Sequence, residues 1–165
     1  MKQFDIYIDG SHLDKLNNGR LGVGGILVDR SGPGMGRIIN RFSTELTPEY
    51  TNIAFGSSSC SNPSAELIAL LHALYNFKKN IGPSDTVVVH ADYLGVKSWM
   101  MGDWKIKMPY ISRIKYDIDD EIRKQNLSSR ISYEWVKGHQ NPNLSPDSYW
   151  NNQVDKLAKG IVEDE

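Results

Sequence analysis

Four acidic side chains fall in four separate elements that the sequence predicts. Asp9 ends an alternating strand and lies on the face opposite its apolar residues. Asp92 directly follows the apolar run TVVVHA, at the carboxyl end of a predicted parallel strand, where open α/β sheets bind their ligands. Glu66 lines up with the buried stripe of a helix, and Asp155 lies in the last helix. Carboxylates from four elements can meet at one edge of a sheet.

Each of these acids also has an ordinary structural explanation when it is taken alone. Asp9 begins an Asp-Gly-Ser turn, and Asp92 is suited to cap the next short helix. Glu66 lies in the first turn of its helix, which the helix dipole favours, although this does not explain its inward direction. Asp155 fits a solvated helix face. The functional interpretation therefore depends on the four acids acting as a set.

A cluster of carboxylates implies a bound cation, because like charges repel one another unless a cation neutralises them. Ligands that are all oxygen atoms are typical of Mg²⁺ or Mn²⁺ and not of zinc. Two such ions about 4 Å apart are suited to in-line displacement at phosphorus. His139 follows a predicted strand, and beside such a cluster it would shuttle protons or help the product to leave. A lone loop histidine is more often only solvated, and His90 has no comparable setting.

The pattern of apolar residues predicts the elements that position these side chains. Residues 4–8, 21–28 and 37–46 read as strands joined by short turns, which predicts an antiparallel meander. A loop is expected over 47–62, and Asn62 is the expected N-cap of the helix that follows. The later elements are a helix to about residue 80, a strand 86–91, helices 93–101 and 110–126, a strand 130–136, and a helix with Trp150, Val154, Leu157 and Ile161 on one stripe. We therefore expect an α/β fold with a mixed five-stranded sheet, three antiparallel strands plus two parallel ones, flanked by helices.

Length and composition indicate one globular domain over residues 1–165. The chain is 39% hydrophobic and 24% charged, and its single cysteine, Cys60, excludes an internal disulfide and a four-cysteine zinc site. No stretch approaches the roughly 20 apolar residues of a membrane span, and the start, MKQFDIYIDG, lacks the apolar core of a signal peptide. We expect a cytoplasmic monomer without a membrane partner. The net charge of −1 disfavours bulk attraction to nucleic acid but allows a local basic patch.

Six motifs along the chain resemble the type I ribonuclease H family. They are IYIDGS (6–11), GVGGIL (22–27), NPSAELIALLHAL (62–74), VVVHAD (87–92), YEWVKGH (133–139) and NNQVDKLAKG (151–160). Each motif is only moderately specific, but their order and spacing hold over nearly the whole chain. The ribonuclease H-like fold agrees with the order of elements above.

The resemblance implies a catalytic site made of the four acids and His139. Asp9, Glu66 and Asp92 would hold one Mg²⁺, and Asp9 and Asp155 would hold a second, with Mn²⁺ as a substitute. One ion would activate the attacking water, and the other would stabilise the leaving oxygen. The implied reaction is endonucleolytic hydrolysis of the RNA strand of an RNA–DNA hybrid, which leaves a 3′-hydroxyl and a 5′-phosphate.

The resemblance also indicates contacts to the substrate, in a region where this chain departs from the family pattern. The residues expected to contact the hybrid near the metals are Gly10, Ser11 and Asn62. Glu66 and the backbone of Gly10 match positions that contact 2′-hydroxyls, the group that distinguishes RNA from DNA. The family often has two adjacent asparagines before the helix glutamate, whereas here Pro63 takes the second place. Tyr93 and Leu94 likewise replace a common Ser-Gln pair, so the details of substrate binding differ.

A short basic segment over residues 97–115 would hold the DNA strand. Its basic and aromatic residues are Lys97, Trp99, Trp104, Lys105, Lys107, Arg113 and Lys115. Basic groups with aromatic neighbours suit contact with phosphates and sugars or bases. The alternative is a solvated helix face with two core tryptophans. A patch this small predicts modest affinity and a shallow salt dependence.

Two other functions are compatible with the same fold. One is a catalytically inactive hybrid-binding module, against which the intact acids argue, because a pure binder gains nothing from buried like charges. The other is a DNA-acting nuclease of the same superfamily, against which the KGH loop and the positions that read 2′-hydroxyls argue. Fold alone does not decide among the three.

Overall fold

The computed structural model describes residues 1–13 and 19–160. Its strands are β1 (Gln3–His12), β2 (Leu21–Asp29), β3 (Arg37–Leu46), β4 (Thr86–Ala91) and β5 (Ile131–Trp135). Its helices are α1 (Pro48–Phe55), α2 (Asn62–Phe77), α3 (Leu94–Met100), α4 (Pro109–Lys124) and α5 (Pro146–Ala158). Within these ranges no helix is long and apolar enough to cross a membrane.

The five strands form one mixed sheet in the order β3-β2-β1-β4-β5. β1 pairs with β2 and β2 with β3 in the antiparallel sense, whereas β1–β4 and β4–β5 are parallel. This confirms the predicted fold class. The parallel pairs place the carboxyl ends of β1, β4 and β5 at the same edge of the sheet.

Helices bury both faces of the central strand β1. Its residues Phe4, Ile6 and Ile8 pack with α2 and α4 in the larger core. On the opposite face Tyr7 is buried with Trp150 and other residues of α5 in a smaller core. Because both faces are covered, any acid on the α5 face of β1 is removed from water.

The expectation of a loop over 47–62 is wrong, because residues 48–55 form helix α1. The Thr47 side chain caps this helix by accepting from the Tyr50 backbone N–H, and Pro48 suits its first turn. Gly56 ends it in the left-handed conformation, with φ of 82°. Only Thr51 and Phe55 are buried in this helix, so its sequence has no apolar stripe that would predict it.

The predicted boundaries of α2 also shift. Its N-cap is Ser61, whose hydroxyl accepts from the Ser64 N–H, so Asn62 is the first helical residue and not the cap. The helix ends at Phe77, three residues before the predicted end. Ile161, expected on the stripe of the last helix, lies outside the described residues, as do residues 14–18 of the predicted turn before β2.

Two glycines allow helices to pack against the sheet at backbone distance. A Cβ on Gly10 would lie 2.6 Å from the backbone carbon of Ala65 in α2. A Cβ on Gly22 would lie 1.8 Å from the carbonyl oxygen of Ala158 in α5. These close approaches bring the start of α2 and the end of α5 to the edge where β1 ends.

Candidate active site

The carboxylates of Asp9, Glu66 and Asp92 meet at the carboxyl edge of the sheet. One oxygen from each lies within 4.8 Å of the others. Asp155 of α5 and His139 line the same cleft, which has a volume of about 530 Å³. The structure therefore brings together all five residues that the sequence predicts as catalytic.

Strand pairing positions the two aspartates. Ile8 of β1 is paired with Ala91 of β4, so Asp9 and Asp92 are the next residues along these two parallel strands. The strand end expected at Asp9 is wrong, because β1 stays paired with β2 as far as His12. β5 braces this edge, because the Trp135 side chain donates from Nε1 to the Asp92 carbonyl oxygen at 3.0 Å.

Glu66 enters the cluster from the start of α2. Its Oε1 accepts from the Gly10 backbone N–H at 3.2 Å, and the same N–H lies 3.0 Å from Asp9 Oδ1. Its Oε2 is buried and has no hydrogen-bond partner among the described residues. A buried carboxylate oxygen without a donor is costly, and a cation is a natural partner for it.

The acids of the cluster repel one another, and the nearby cations do not balance them. Burial, followed by repulsion from Asp92 and Asp155, raises the pKa of Asp9 to about 7. Burial and the charge of Asp9 raise the pKa of Glu66 well above its ordinary value. Burial and Asp155 likewise raise the pKa of Asp92, which His139 partly offsets. The oxygen-only donor set therefore fits hard divalent cations such as Mg²⁺ or Mn²⁺, which would neutralise it.

Sequence reasoning missed two residues that contribute to the site, one on α5 and one directly after its last residue. Asn151 is buried and its side chain hydrogen bonds to Asp92, which lowers that acid's raised pKa. Lys159 lines the cleft and places Nζ 3.0 Å from Asp155 Oδ2. Both are one helical turn from Asp155, at i−4 and i+4, and that spacing is the signal that would have found them.

His139 lies in the exposed loop that follows β5. Its backbone adopts the left-handed conformation, with φ of 57°, which is uncommon for a residue other than glycine. The preceding residue, Gly138, packs against Asp92, because a Cβ on this glycine would lie 3.2 Å from Asp92 Oδ2. The loop thus presents the imidazole at the mouth of the cleft.

The residues predicted to bind nucleic acid divide into two groups. Gly10, Ser11 and Asn62 line the cleft that holds the carboxylates. Asn62 is tied to β1, because its Oδ1 accepts from the His12 backbone N–H at 3.1 Å. Of the other four residues, Trp104, Lys105 and Lys107 line a separate groove, and Lys97 does not.

A second groove of about 520 Å³ follows α3. Trp104, Lys105 and Lys107 line it, together with Trp99 and the apolar side chains before α4. Trp99 is buried and packs edge-to-face on the exposed Trp104, with ring centroids 6.0 Å apart. Lys97 lies on α3 and does not line either of these two clefts in the described part of the chain.

The rest of the predicted basic segment faces elsewhere. Arg113 pairs with Asp117 and Lys115 with Asp119 along α4, at N···O distances of 3.5 and 2.7 Å. These cations are balanced within their own helix. The groove therefore offers Lys105 and Lys107 as its cationic groups.

Comparison with known proteins gives a family and a fold. The RNase H family model matches residues 1–163. RNase H1 of the halophilic archaeon Halobacterium salinarum NRC-1 is 21% identical, with a TM-score of 0.67 over 96% of each chain. LC11-RNase H1, isolated from compost by a metagenomic approach and crystallised with an RNA/DNA hybrid, is 18% identical, with a TM-score of 0.69 over 96% of each chain. The RNase H domain of prototype foamy virus is 22% identical, with a TM-score of 0.67 over 97% of this chain and 94% of that one. None of the curated protein sequences matches the chain.

Proposed function

The chain belongs to the RNase H family, and from that premise we propose that it hydrolyses the RNA strand of RNA–DNA hybrids, leaving 3′-hydroxyl and 5′-phosphate ends. The observation that carries the proposal is the convergence of Asp9, Glu66 and Asp92 within 4.8 Å, with Asp155 in the same cleft. Each acid comes from a different element, so a solvated surface does not explain the arrangement. A neighbour of the same fold crystallised with an RNA/DNA hybrid supports the substrate class.

Asp9, Glu66 and Asp92 would hold one divalent cation, and Asp9 and Asp155 would hold a second. Bound there, Mg²⁺ or Mn²⁺ would supply a nucleophilic water at neutral pH and stabilise the leaving oxygen of the scissile phosphate. The unpartnered Oε2 of Glu66 supports this assignment. Lys159, now paired with Asp155, would give up that contact when a cation enters.

The chain's own residues would orient the substrate and move the proton. His139 at the cleft mouth would carry a proton or help the product to leave. Glu66 and the Gly10 backbone would contact the 2′-hydroxyl of the RNA strand, and Ser11 and Asn62 would contact the hybrid beside them. Selection of RNA then follows from contacts that a deoxyribose cannot make.

The groove beside α3 would hold the DNA strand. Trp104 is 41% exposed and lines this groove together with Asp103, Lys105 and Lys107. An exposed indole with neighbouring cations suits packing on a sugar or base together with phosphate contact. Lys97 lies on α3 outside the groove, and we assign it to a separate contact with the same strand.

Cleavage of a labelled hybrid tests the proposal. The RNA strand carries a label at one end, and matched reactions contain Mg²⁺, Mn²⁺ or a chelator. We expect endonucleolytic cuts in the RNA strand with either metal, none with chelator, and none in an all-DNA duplex. Asp9→Asn should abolish cutting, whereas Glu49→Gln, an exposed acid on α1, should not. Cutting that survives Asp9→Asn, or no cutting in either metal, would overturn the proposal.

A further inference from the structure

A second polar cluster is buried behind the catalytic carboxylates, on the sheet face that α5 covers. Tyr7 of β1 pairs with His90 of β4, and His90 pairs with Glu134 of β5. Asp147 comes from the first turn of α5, and Asp5 from the start of β1. Tyr7 and His90 each come two residues before one of the aspartates Asp9 and Asp92, which corresponds to about 7 Å along the strand.

His90 is the unusual member of this cluster. Its side chain is 4% exposed, and neither ring nitrogen makes a well-formed hydrogen bond to any described residue. Nε2 lies 3.0 Å from Asp5 Oδ1, but the contact lacks hydrogen-bond geometry. Nδ1 lies 3.9 Å from Asp147 Oδ1 and 3.8 Å from Glu134 Oε2. Buried polar side chains normally have at least one hydrogen-bond partner, and the His90 imidazole has none although carboxylates lie on both sides of it.

We propose that His90, Asp5 and Asp147 form a binding site for one divalent transition-metal ion of the zinc type, distinct from the catalytic carboxylates. One donor atom from each of these residues lies within 4.8 Å of the others. Imidazole with carboxylate oxygen is a donor set that suits Zn²⁺, Co²⁺ or Ni²⁺, unlike the oxygen-only set at Asp9.

The charges of the cluster fit a divalent ion. Asp5, Asp147 and Glu134 bring three negative charges, and Arg30 brings one positive charge, so a doubly charged cation balances the group. Arg30 places Nη1 3.1 Å from Asp5 Oδ2 and 3.9 Å from Asp147 Oδ1, where it competes with a metal. Its side chain is 24% exposed and has room to move toward solvent.

Binding at this site would tie β1 and β4 to the start of α5. Tyr7 already links β1 to α5, because its hydroxyl donates to Asp147 Oδ1 at 2.5 Å. Glu134 is 60% exposed and offers a further carboxylate at the solvent side of the cluster. Since α5 also carries Asp155, the metal would stabilise the helix that completes the catalytic site.

Zn²⁺ titration calorimetry in excess Mg²⁺ tests the site, with Co²⁺ absorption as a report of the ligand geometry. We expect one tight Zn²⁺ per chain, a visible Co²⁺ spectrum of low-coordinate type, and a higher Tm with Zn²⁺. His90→Gln should weaken binding by more than about 100-fold, and Glu134→Gln by about 10-fold. Arg30→Gln should strengthen it by about 10-fold, because the competing cation is removed.

The controls separate this site from other histidines and from catalysis. His72→Gln, at a half-buried histidine of α2, should bind Zn²⁺ as the wild type does. Asp9→Asn, which should abolish hybrid cleavage, should also leave Zn²⁺ binding unchanged, so the two proposals fail separately. If His90→Gln does not fold, the opposite effects of Glu134→Gln and Arg30→Gln still decide. Absence of a tight Zn²⁺, or binding that none of the three cluster variants alters, would overturn the proposal.

Discussion

Asp9 lies at the centre of the carboxylate cluster that we propose as the catalytic site. Its carboxylate is buried beside Glu66 and feels the charges of Asp92 and Asp155, and this raises its pKa. A protein without its cation therefore keeps an unfavourable concentration of negative charge, which protonation partly relieves. The arrangement makes sense when a divalent cation supplies the missing charge.

We expect the stability of the metal-free protein to fall as pH rises from about 4 to about 7. Asp9, whose pKa is raised to about 7, keeps its proton in the folded state after the unfolded chain has released it near pH 4. The folded state therefore binds more protons through this window, and the free energy of unfolding decreases, by up to about 4 kcal/mol. Thermal unfolding in chelator at pH 5 and pH 8 measures the effect.

Mg²⁺ should raise the Tm more at pH 8 than at pH 5, because binding requires the ionised carboxylates. Asp9→Asn should reduce the pH dependence of the stability and also the pH dependence of the Mg²⁺-induced rise in Tm. Equal Mg²⁺ stabilisation at the two pH values would contradict the assignment of these acids as ligands.

His139→Ala should lower the cleavage rate by about 100-fold while leaving the affinity for divalent cations unchanged. The imidazole lies in an exposed loop and is not part of the set of close carboxylates, so its loss removes a proton carrier and not a ligand. Single-turnover cleavage and Mn²⁺ titration measure the two effects. A wild-type rate for this variant would remove His139 from the mechanism.

Close backbone packing is what places the elements that carry these side chains. α5 lies against β2 at Gly22, and that contact fixes the turn of α5 on which Asp155 lies. α2 is held in the same way at Gly10, next to Glu66. The positions of two acids thus depend on residues that have no side chain.

Gly22→Ala should destabilise the fold by about 2 kcal/mol or more, because a Cβ there would lie 1.8 Å from the Ala158 carbonyl oxygen. It should also lower cleavage at temperatures where the protein remains folded, since α5 must shift and carries Asp155 with it. Gly32→Ala is the matched control, because nothing lies within 4 Å of a Cβ at that position. Urea unfolding and hybrid cleavage are the measurements, and equal behaviour of the two variants would contradict the packing argument.

The order and type of most elements could be predicted from the sequence, because their apolar periods are strong. β1, β4 and α4 have clear patterns, and Asp92 follows directly from the end of β4, whereas β1 runs three residues past Asp9 to His12. Helix α1 could not be predicted, because its cap and turn residues define it without an apolar stripe. The surroundings of His90 could not be predicted either, since they depend on the pairing register of β1 and β4 and on where α5 begins.

At the scale of the whole molecule, charge is balanced overall and arranged locally. The net charge is −1, and many cations pair within their own helices, as Lys115 and Arg113 do on α4. Long-range attraction to a polyanion is therefore weak, and local contacts must supply the affinity. A single domain over 1–165, a monomeric state and a cytoplasmic location stay predictions.

The affinity for the hybrid should therefore depend only weakly on salt concentration, because few phosphates are contacted and few counterions are released. Lys105→Gln and Lys107→Gln should each reduce the slope of log K against log salt by about 1. Lys124→Gln, at an α4 lysine paired with Asp120 at 2.9 Å, should leave the slope unchanged. Binding of a hybrid to the Asp9→Asn protein over a salt series gives the slopes. A slope that neither groove variant alters would show that the DNA strand is held elsewhere.

Anomalous scattering from crystals grown with Mn²⁺ shows directly whether cations bind among the four carboxylates. We expect two Mn²⁺ peaks about 4 Å apart among Asp9, Glu66, Asp92 and Asp155, one of them within bonding distance of Glu66 Oε2. Crystals that hold Mn²⁺ elsewhere but show no peak among these carboxylates would contradict this expectation.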